Sequence, residues 1–271
     1  NMFYSCDSIK VIPGQLFFNC PKLADAGSAF SYCKGVESID KDLFSKNPEL
    51  TDCSSTFSGM SKLKSVDKDL FANNPKITTL NAIFSYDEAL TTIPAGIFRN
   101  QKDCETFRMA FTSTGLTEIP AGLFANNTKC ENFQQTFSGT KIKSIPADVF
   151  KGCSSVDTFM SCFSGCTELQ SIPADLFKNS GSQGVVYGKK GNGMRMVFND
   201  CSSLKEIPAG LLDGFTKITN IESIFDGCSS LESIPSGLFK DATNVTNLNN
   251  AFSGCTSLKS IPAGVFKGLS K

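Results

Sequence analysis

One phrase recurs ten times along the chain: a branched aliphatic, usually a proline, two small or polar residues, then an aliphatic–phenylalanine pair. The last copy reads Ile261-Pro262-Ala263-Gly264-Val265-Phe266. The leading aliphatics are Ile12, Ile39, Val66, Ile93, Ile119, Ile145, Ile172, Ile207, Ile234 and Ile261, spaced by 27, 27, 27, 26, 26, 27, 35, 27 and 27 residues. A fixed period in this range is the signature of a solenoid, in which each coil buries its apolar face only against its neighbours. The 271 residues therefore read as one elongated domain, 1–271, of about ten 27-residue coils.

Each period has two related halves. One is Leu258-Lys259-Ser260-Ile261 running on to Val265-Phe266; the other is Val245-Thr246-Asn247-Leu248 running on to Ala251-Phe252-Ser253-Gly254-Cys255. The short aliphatic-x-x-aliphatic segments suit strands. Stacked in register, those ending at Ile12 through Ile261 predict one continuous parallel ladder at about 4.8 Å per coil. Pro94, Pro120, Pro146 and Pro173 suit the start of short helical turns, where a missing N–H is harmless. Gly59, Gly139, Gly165, Gly227 and Gly254, each two residues after a phenylalanine, suit left-handed ends of such turns. The expected class is an α/β repeat with a parallel ladder and short helical turns.

The phenylalanines are the expected core. One column runs Phe17, Phe44, Phe71, Phe98, Phe124, Phe150, Phe177, Phe239 and Phe266, with Leu212 as the exception. The other runs Phe3, Phe30, Phe57, Phe84, Phe111, Phe137, Phe163, Phe198, Phe225 and Phe252. Strict periodicity beside Leu and Ile marks both as spine packing rather than a ligand-stacking surface.

Composition removes several chemistries. Lys+Arg and Asp+Glu are both 26 and no basic stripe stands out, so nucleic acid is not an expected partner. The chain has no His, which excludes His-dependent triads, His metal sites and the usual pH switch. No carboxylate pair marks glycoside hydrolysis, and no calcium-repeat or phosphate-loop motif is present. No enzyme activity, cofactor or metal is expected. No apolar run approaches the roughly 20 residues that span a bilayer. The chain starts and stops in mid-repeat without polar caps, so the sequence reads as a fragment of a longer precursor.

The phrases Leu-x-Ser-Ile-Pro-Ala-Gly-Leu/Val-Phe and Ala-Phe-Ser-Gly-Cys-Thr-Ser-Leu resemble the BspA-like class of leucine-rich repeats, across essentially the whole chain. That class usually has a period a few residues shorter. The resemblance implies a right-handed horseshoe or arc, placement on the surface of host-associated bacteria, and adhesive or protein-binding roles. It carries no catalytic residues.

Six of the 12 cysteines share one coil position, three residues after the second-column phenylalanine: Cys6, Cys33, Cys166, Cys201, Cys228 and Cys255. Met60, Asp87, Thr114 and Thr140 fill that slot elsewhere, so it does not depend on sulfur–sulfur bonding. The cysteines read as small buried side chains whose S–H donates weakly to a neighbouring carbonyl. Disulfides stay open, because stacking places equivalent Cα atoms about 5 Å apart.

The period breaks once, between Ile172 and Ile207, where a glycine-rich insertion of eight residues (35 − 27) lies within 179–196. Val185-Val186-Tyr187 and Met194-Arg195-Met196 suggest a projecting hairpin. Tyr187, Lys189, Lys190 and Arg195 are the candidate binding residues, supplying an aromatic ring and local positive charge; the alternative is a tolerated surface loop. The expected function is extracellular or cell-surface recognition of a host or bacterial surface protein or glycan by a monomer. A structural spacer arm and an accessory to polysaccharide capture are the other readings. The mostly Ser/Thr column preceding the aliphatics, Ser38 through Ser260, keeps the spacer in view.

Overall fold

The computed structural model describes residues 1–178, 180 and 193–269. The repeat builds a stack of coils whose spine is aromatic. Rings of the second phenylalanine column stand in single file from Phe3 to Phe252, each stacked on the next at 5.3–6.2 Å between centroids. The file runs unbroken past the long period: Phe163 stacks on Phe198 at 5.6 Å and 4°. The first column stacks likewise from Phe17 to Phe177. A third file, Phe107–Phe133–Phe159, wedges into the central coils, each ring 4.6–4.9 Å from first-column rings. One contiguous apolar core results, running from Ile12 to Val265.

The parallel ladder lies mainly in the other half-coil from the one expected. At the Ile positions, β1 (Val11–Ile12) and β2 (Ser38–Ile39) pair in parallel, with bridges Ser144↔Ser171 and Glu206↔Ser233 further on. No bridge joins the segments of Ile93 and Ile119. The unbroken series is Asp25↔Asp52↔Thr79↔Thr106↔Asn132↔Thr158, resumed as Asn220↔Asn247. Proline contributes to the difference but does not act alone, since Asp67 follows Val66 and no bridge joins Ile39 to Val66 either. The β1–β2 pair is closed by the Asp40 N–H donating to Ile12 O at 3.0 Å. Pro94, Pro120 and the prolines after them stand at that position, and proline has no N–H to give.

The expected helical turns are also corrected: among the described residues there is no helix. Alternate amides of the second half-coil leave their own coil. The N–H groups of Ala26, Ser28, Phe30 and Tyr32 donate to Asp52, Ser54, Thr56 and Ser58 of the next coil at 2.7–3.1 Å. Those of Ala29, Ser31 and Cys33 donate three residues back, to Ala26, Ser28 and Phe30. With every second donor spent on the neighbour, an i→i−4 series cannot form. The geometry requires left-handed backbone two residues before and two after each second-column phenylalanine, for example Ser28 (φ 53°) and Tyr32 (φ 60°) around Phe30. The same four-bond pattern repeats at 53–59, 80–86, 107–113 and 133–139, and from 159–165 directly onto 193–199. The inserted residues therefore leave the coil-to-coil ladder continuous.

Candidate recognition surface

Many of the interior slots three residues after a phenylalanine hold donors aimed at the phenylalanine carbonyl of the preceding coil, whereas Thr114 and Thr140 donate to that of their own coil. Cys33, Cys166, Cys201, Cys228 and Cys255 donate S–H to Phe3, Phe137, Phe163, Phe198 and Phe225 at 2.9–3.3 Å. In the first half-coil the same slot holds an amide ladder that the sequence reading missed. Asn47, Asn74, Gln101 and Asn127 donate to Phe17, Phe44, Phe71 and Phe98 at 2.7–3.1 Å, and each also reaches the slot residue of the coil before it. Cys153 continues the series with a bond to Phe124. All 12 cysteines are free, and nine are buried as expected, while Cys6 and Cys20 are exposed and Cys255 is half-buried; burial pushes the Cys104, Cys153, Cys166 and Cys228 thiols up to about 12. Such thiols are neither nucleophiles nor metal ligands at neutral pH. Thiol titration should find all 12 after denaturation without reductant, and in the native protein rapid labelling of only the exposed Cys6 and Cys20.

Asp87 is the one carboxylate in this slot, and it is fully buried. Its Oδ1 accepts the Met60 N–H at 2.7 Å, while Oδ2 has no partner. Desolvation raises its pKa well above the ordinary 3.8. A neutral carboxyl keeps a hydroxyl that can donate to the carbonyl its slot faces, which by register is that of Phe57. Because the folded protein holds this proton more tightly than the unfolded chain, the contribution is complete below pH 3.8 and is lost as pH rises towards the folded value. Asp87→Asn should abolish that slope and raise stability at pH 7 by about 1–2 kcal/mol, by replacing an unsatisfied oxygen with an amide donor. Urea melts of both proteins at pH 4 and pH 7 check it; a variant less stable at pH 7 contradicts it.

Of the candidate binding residues, Tyr187, Lys189 and Lys190 lie outside the described residues. Arg195 belongs to the coil rather than to a hairpin. Its carbonyl accepts the Ser161 N–H at 2.9 Å, and its guanidinium pairs with Glu222 of the next coil at 2.9 Å. Met194 beside it is fully buried. Arg195 sits in a file with Arg108, Gln134 and Met160, three residues before the phenylalanines, next to the polar bridge residues. There Thr106 Oγ1 donates to Asn81 Oδ1 at 2.7 Å, and Asn247 Nδ2 donates to Glu222 Oε2 at 3.2 Å.

A second irregularity emerges at the first coils. The position two residues after the phenylalanine is left-handed from Ser5 to Gly254, and five coils place glycine there. Two coils place tyrosine there instead: Tyr32 (φ 60°) and Tyr86 (φ 64°). A bulky residue in this region is strained by about 1–2 kcal/mol. Neither ring is buried in return; Tyr32 is 37% exposed and Tyr86 44%. Gly59 lies between them. A Cβ added to Gly59 would stand 2.7 Å from Tyr32 Cδ1, so the ring rests on the glycine backbone. Tyr4, 52% exposed, stands tilted at 59° to the Tyr32 ring, 5.6 Å between centroids. The signal was in the sequence: Phe30-Ser31-Tyr32 and Phe84-Ser85-Tyr86 stand where Phe57-Ser58-Gly59 shows the usual form.

The model of the BspA type leucine-rich repeat region, in six copies, matches residues 10–157, 68–205 and 194–265. The chain belongs to the BspA-type leucine-rich repeat family. No curated protein matches it. Among solved structures, this BspA-type chain is similar to a leucine-rich cell surface protein from Faecalibacterium prausnitzii A2-165, with 19% identity, 97% of this chain and 86% of that one covered, and a TM-score of 0.30. A leucine-rich repeat protein from Bacteroides ovatus ATCC 8483 shows 20% identity over 93% and 81% of the two chains, with a TM-score of 0.24. A chain of the Drosophila Toll–Spatzle complex shows 18% identity and a TM-score of 0.43; 94% of the BspA-type chain aligns, spanning 32% of that longer chain. Among the described residues no helix is long and apolar enough to cross a membrane, and no group of three or more His, Cys, Asp or Glu side chains is placed to hold a metal.

Proposed function

We propose that this BspA-type chain is a non-enzymatic recognition segment of a bacterial surface protein, extracellular, binding a host or bacterial surface protein or glycan. The observation that carries the reading is the division of labour within the coil. The slot cysteines and amides bond the preceding coil, and the thiols among them are held protonated by burial. What faces solvent among the described residues is a periodic surface interrupted at Tyr32 and Tyr86, and the sequence period itself breaks within 179–196. Leucine-rich repeats commonly bind proteins, and the BspA-type class occurs on surfaces of host-associated bacteria.

A spacer arm is the second reading, favoured by the mostly Ser/Thr column at Ser38, Ser65, Thr92, Ser144, Ser171, Ser233 and Ser260, which Val11, Glu118 and Glu206 break. Adhesion of the purified chain to immobilised host matrix proteins and to cells separates the two. Recognition expects saturable binding, and deletion of Gly184–Gly191 expects an unchanged thermal melt with weakened binding, because Tyr187, Lys189 and Lys190 go with it. Equal binding by the deletion variant removes the insertion from the site. No saturable binding by either protein contradicts recognition and favours the spacer.

A further inference from the structure

We propose that the Tyr32–Gly59–Tyr86 strip is a binding platform for a neutral, β-linked polysaccharide; this names a ligand class for the recognition function and rests on that reading. Three observations converge. Tyrosine occupies a left-handed position that other coils fill with glycine, serine or aspartate, and its ring is held at the surface rather than in the core. Strain retained without burial is a mark of a functional side chain.

The setting is neutral. Ser5, Ser28, Ser55, Ala82 and Ser113, in the left-handed columns around the strip, carry no charge, while Lys34 and Glu88 on its flank are opposite in sign. A flat ring among hydroxyls and amide groups suits the apolar C–H face of a pyranose, with its hydroxyls hydrogen-bonded at the rim. An anionic polymer or a nucleic acid would find no matching charge here.

The spacing is selective. Tyr32 and Tyr86 are two coils apart, about 10 Å at the stacking repeat of a parallel ladder. In an extended β-linked glycan every second sugar turns the same face to one side, and that two-sugar repeat has the same length. Gly59, in the intervening coil, has no side chain, so the Tyr32 ring lies over its backbone along the strip. Its left-handed backbone (φ 79°) and the Tyr32 ring above it leave no room for a larger residue.

The test uses cellohexaose, xylohexaose and β-mannohexaose as probes, read by calorimetry and by tyrosine fluorescence, which is unobscured because the chain has no Trp. Tyr32→Ser and Tyr86→Ser are suitable variants, since Ser5 and Ser113 already occupy this slot with φ 55°. The expected result is saturable binding of at least one hexasaccharide by the parent, a tenfold or greater loss in each variant, and unchanged melts. Binding of none of the probes at millimolar concentration overturns the proposal, as does binding that both variants retain. If the variants bind no sugar differently but lose attachment to a matrix protein, the platform serves a protein and the glycan assignment is wrong, while the recognition function stands.

Discussion

Phe137→Ala lowers the free energy of unfolding by about 3–5 kcal/mol, the range for removing a large buried aromatic. Phe137 is fully buried in a central coil. It stacks on Phe111 at 5.5 Å and on Phe163 at 5.7 Å, and tilts against Phe124 at 6.1 Å. Its neighbours are themselves locked in the file, so the space left by the ring closes poorly and the cavity contribution adds to the lost transfer energy. Urea denaturation followed by far-UV circular dichroism reads the change. A loss under about 1 kcal/mol would mean that the file is not the core of the coil.

Asn74→Leu gives the second large effect, about 2–3 kcal/mol, although the two side chains are similar in size. The Asn74 amide donates to the buried carbonyls of Phe44 at 3.0 Å and Asn47 at 2.8 Å. Each carbonyl keeps a bond within its own coil, from the Asn47 and Leu50 amides respectively. The loss is therefore two second bonds at about 1–1.5 kcal/mol each. Asn74→Cys should recover roughly half, because a thiol at this slot retains one bond, as Cys153 does to Phe124. Equal stability of the leucine and cysteine variants would remove hydrogen bonding from the account of this slot.

The aromatic core was legible because its signal is a period, and a period survives any uncertainty about local conformation. The cysteine slot was legible as one without sulfur–sulfur bonding because Met60, Thr114 and Thr140 share it. The amide ladder one half-coil away was not, since Asn47 and Cys33 look unrelated until the two halves are superposed phenylalanine on phenylalanine. The helical turns failed for a different reason. Apolar spacing of three and four residues reports which side faces inward, and it is blind to whether an amide bonds its own coil or the next. Proline was read as a helix starter; it opens a three-residue turn instead, as where the Ile97 N–H donates to Pro94 O, and it has no N–H to offer the Ile ladder. The candidate site was only partly visible. A charged, aromatic insertion draws attention, whereas Tyr32 and Tyr86 announce themselves only through the backbone angle that glycine normally fills.

The central claim is that each coil is a self-similar unit held by stacked rings and by bonds to its neighbours. Removing one whole coil, Phe111 through Thr136, tests it most directly. The deletion joins Ala110 to Phe137 and brings Phe98 against Phe150, Phe107 against Phe159 and Gln101 against Cys153, so every slot meets an equivalent slot. A solenoid predicts a monomeric, cooperatively melting protein with an unchanged circular dichroism spectrum per residue and a long axis shorter by about 4.8 Å in small-angle scattering. An unfolded or aggregated product would contradict it.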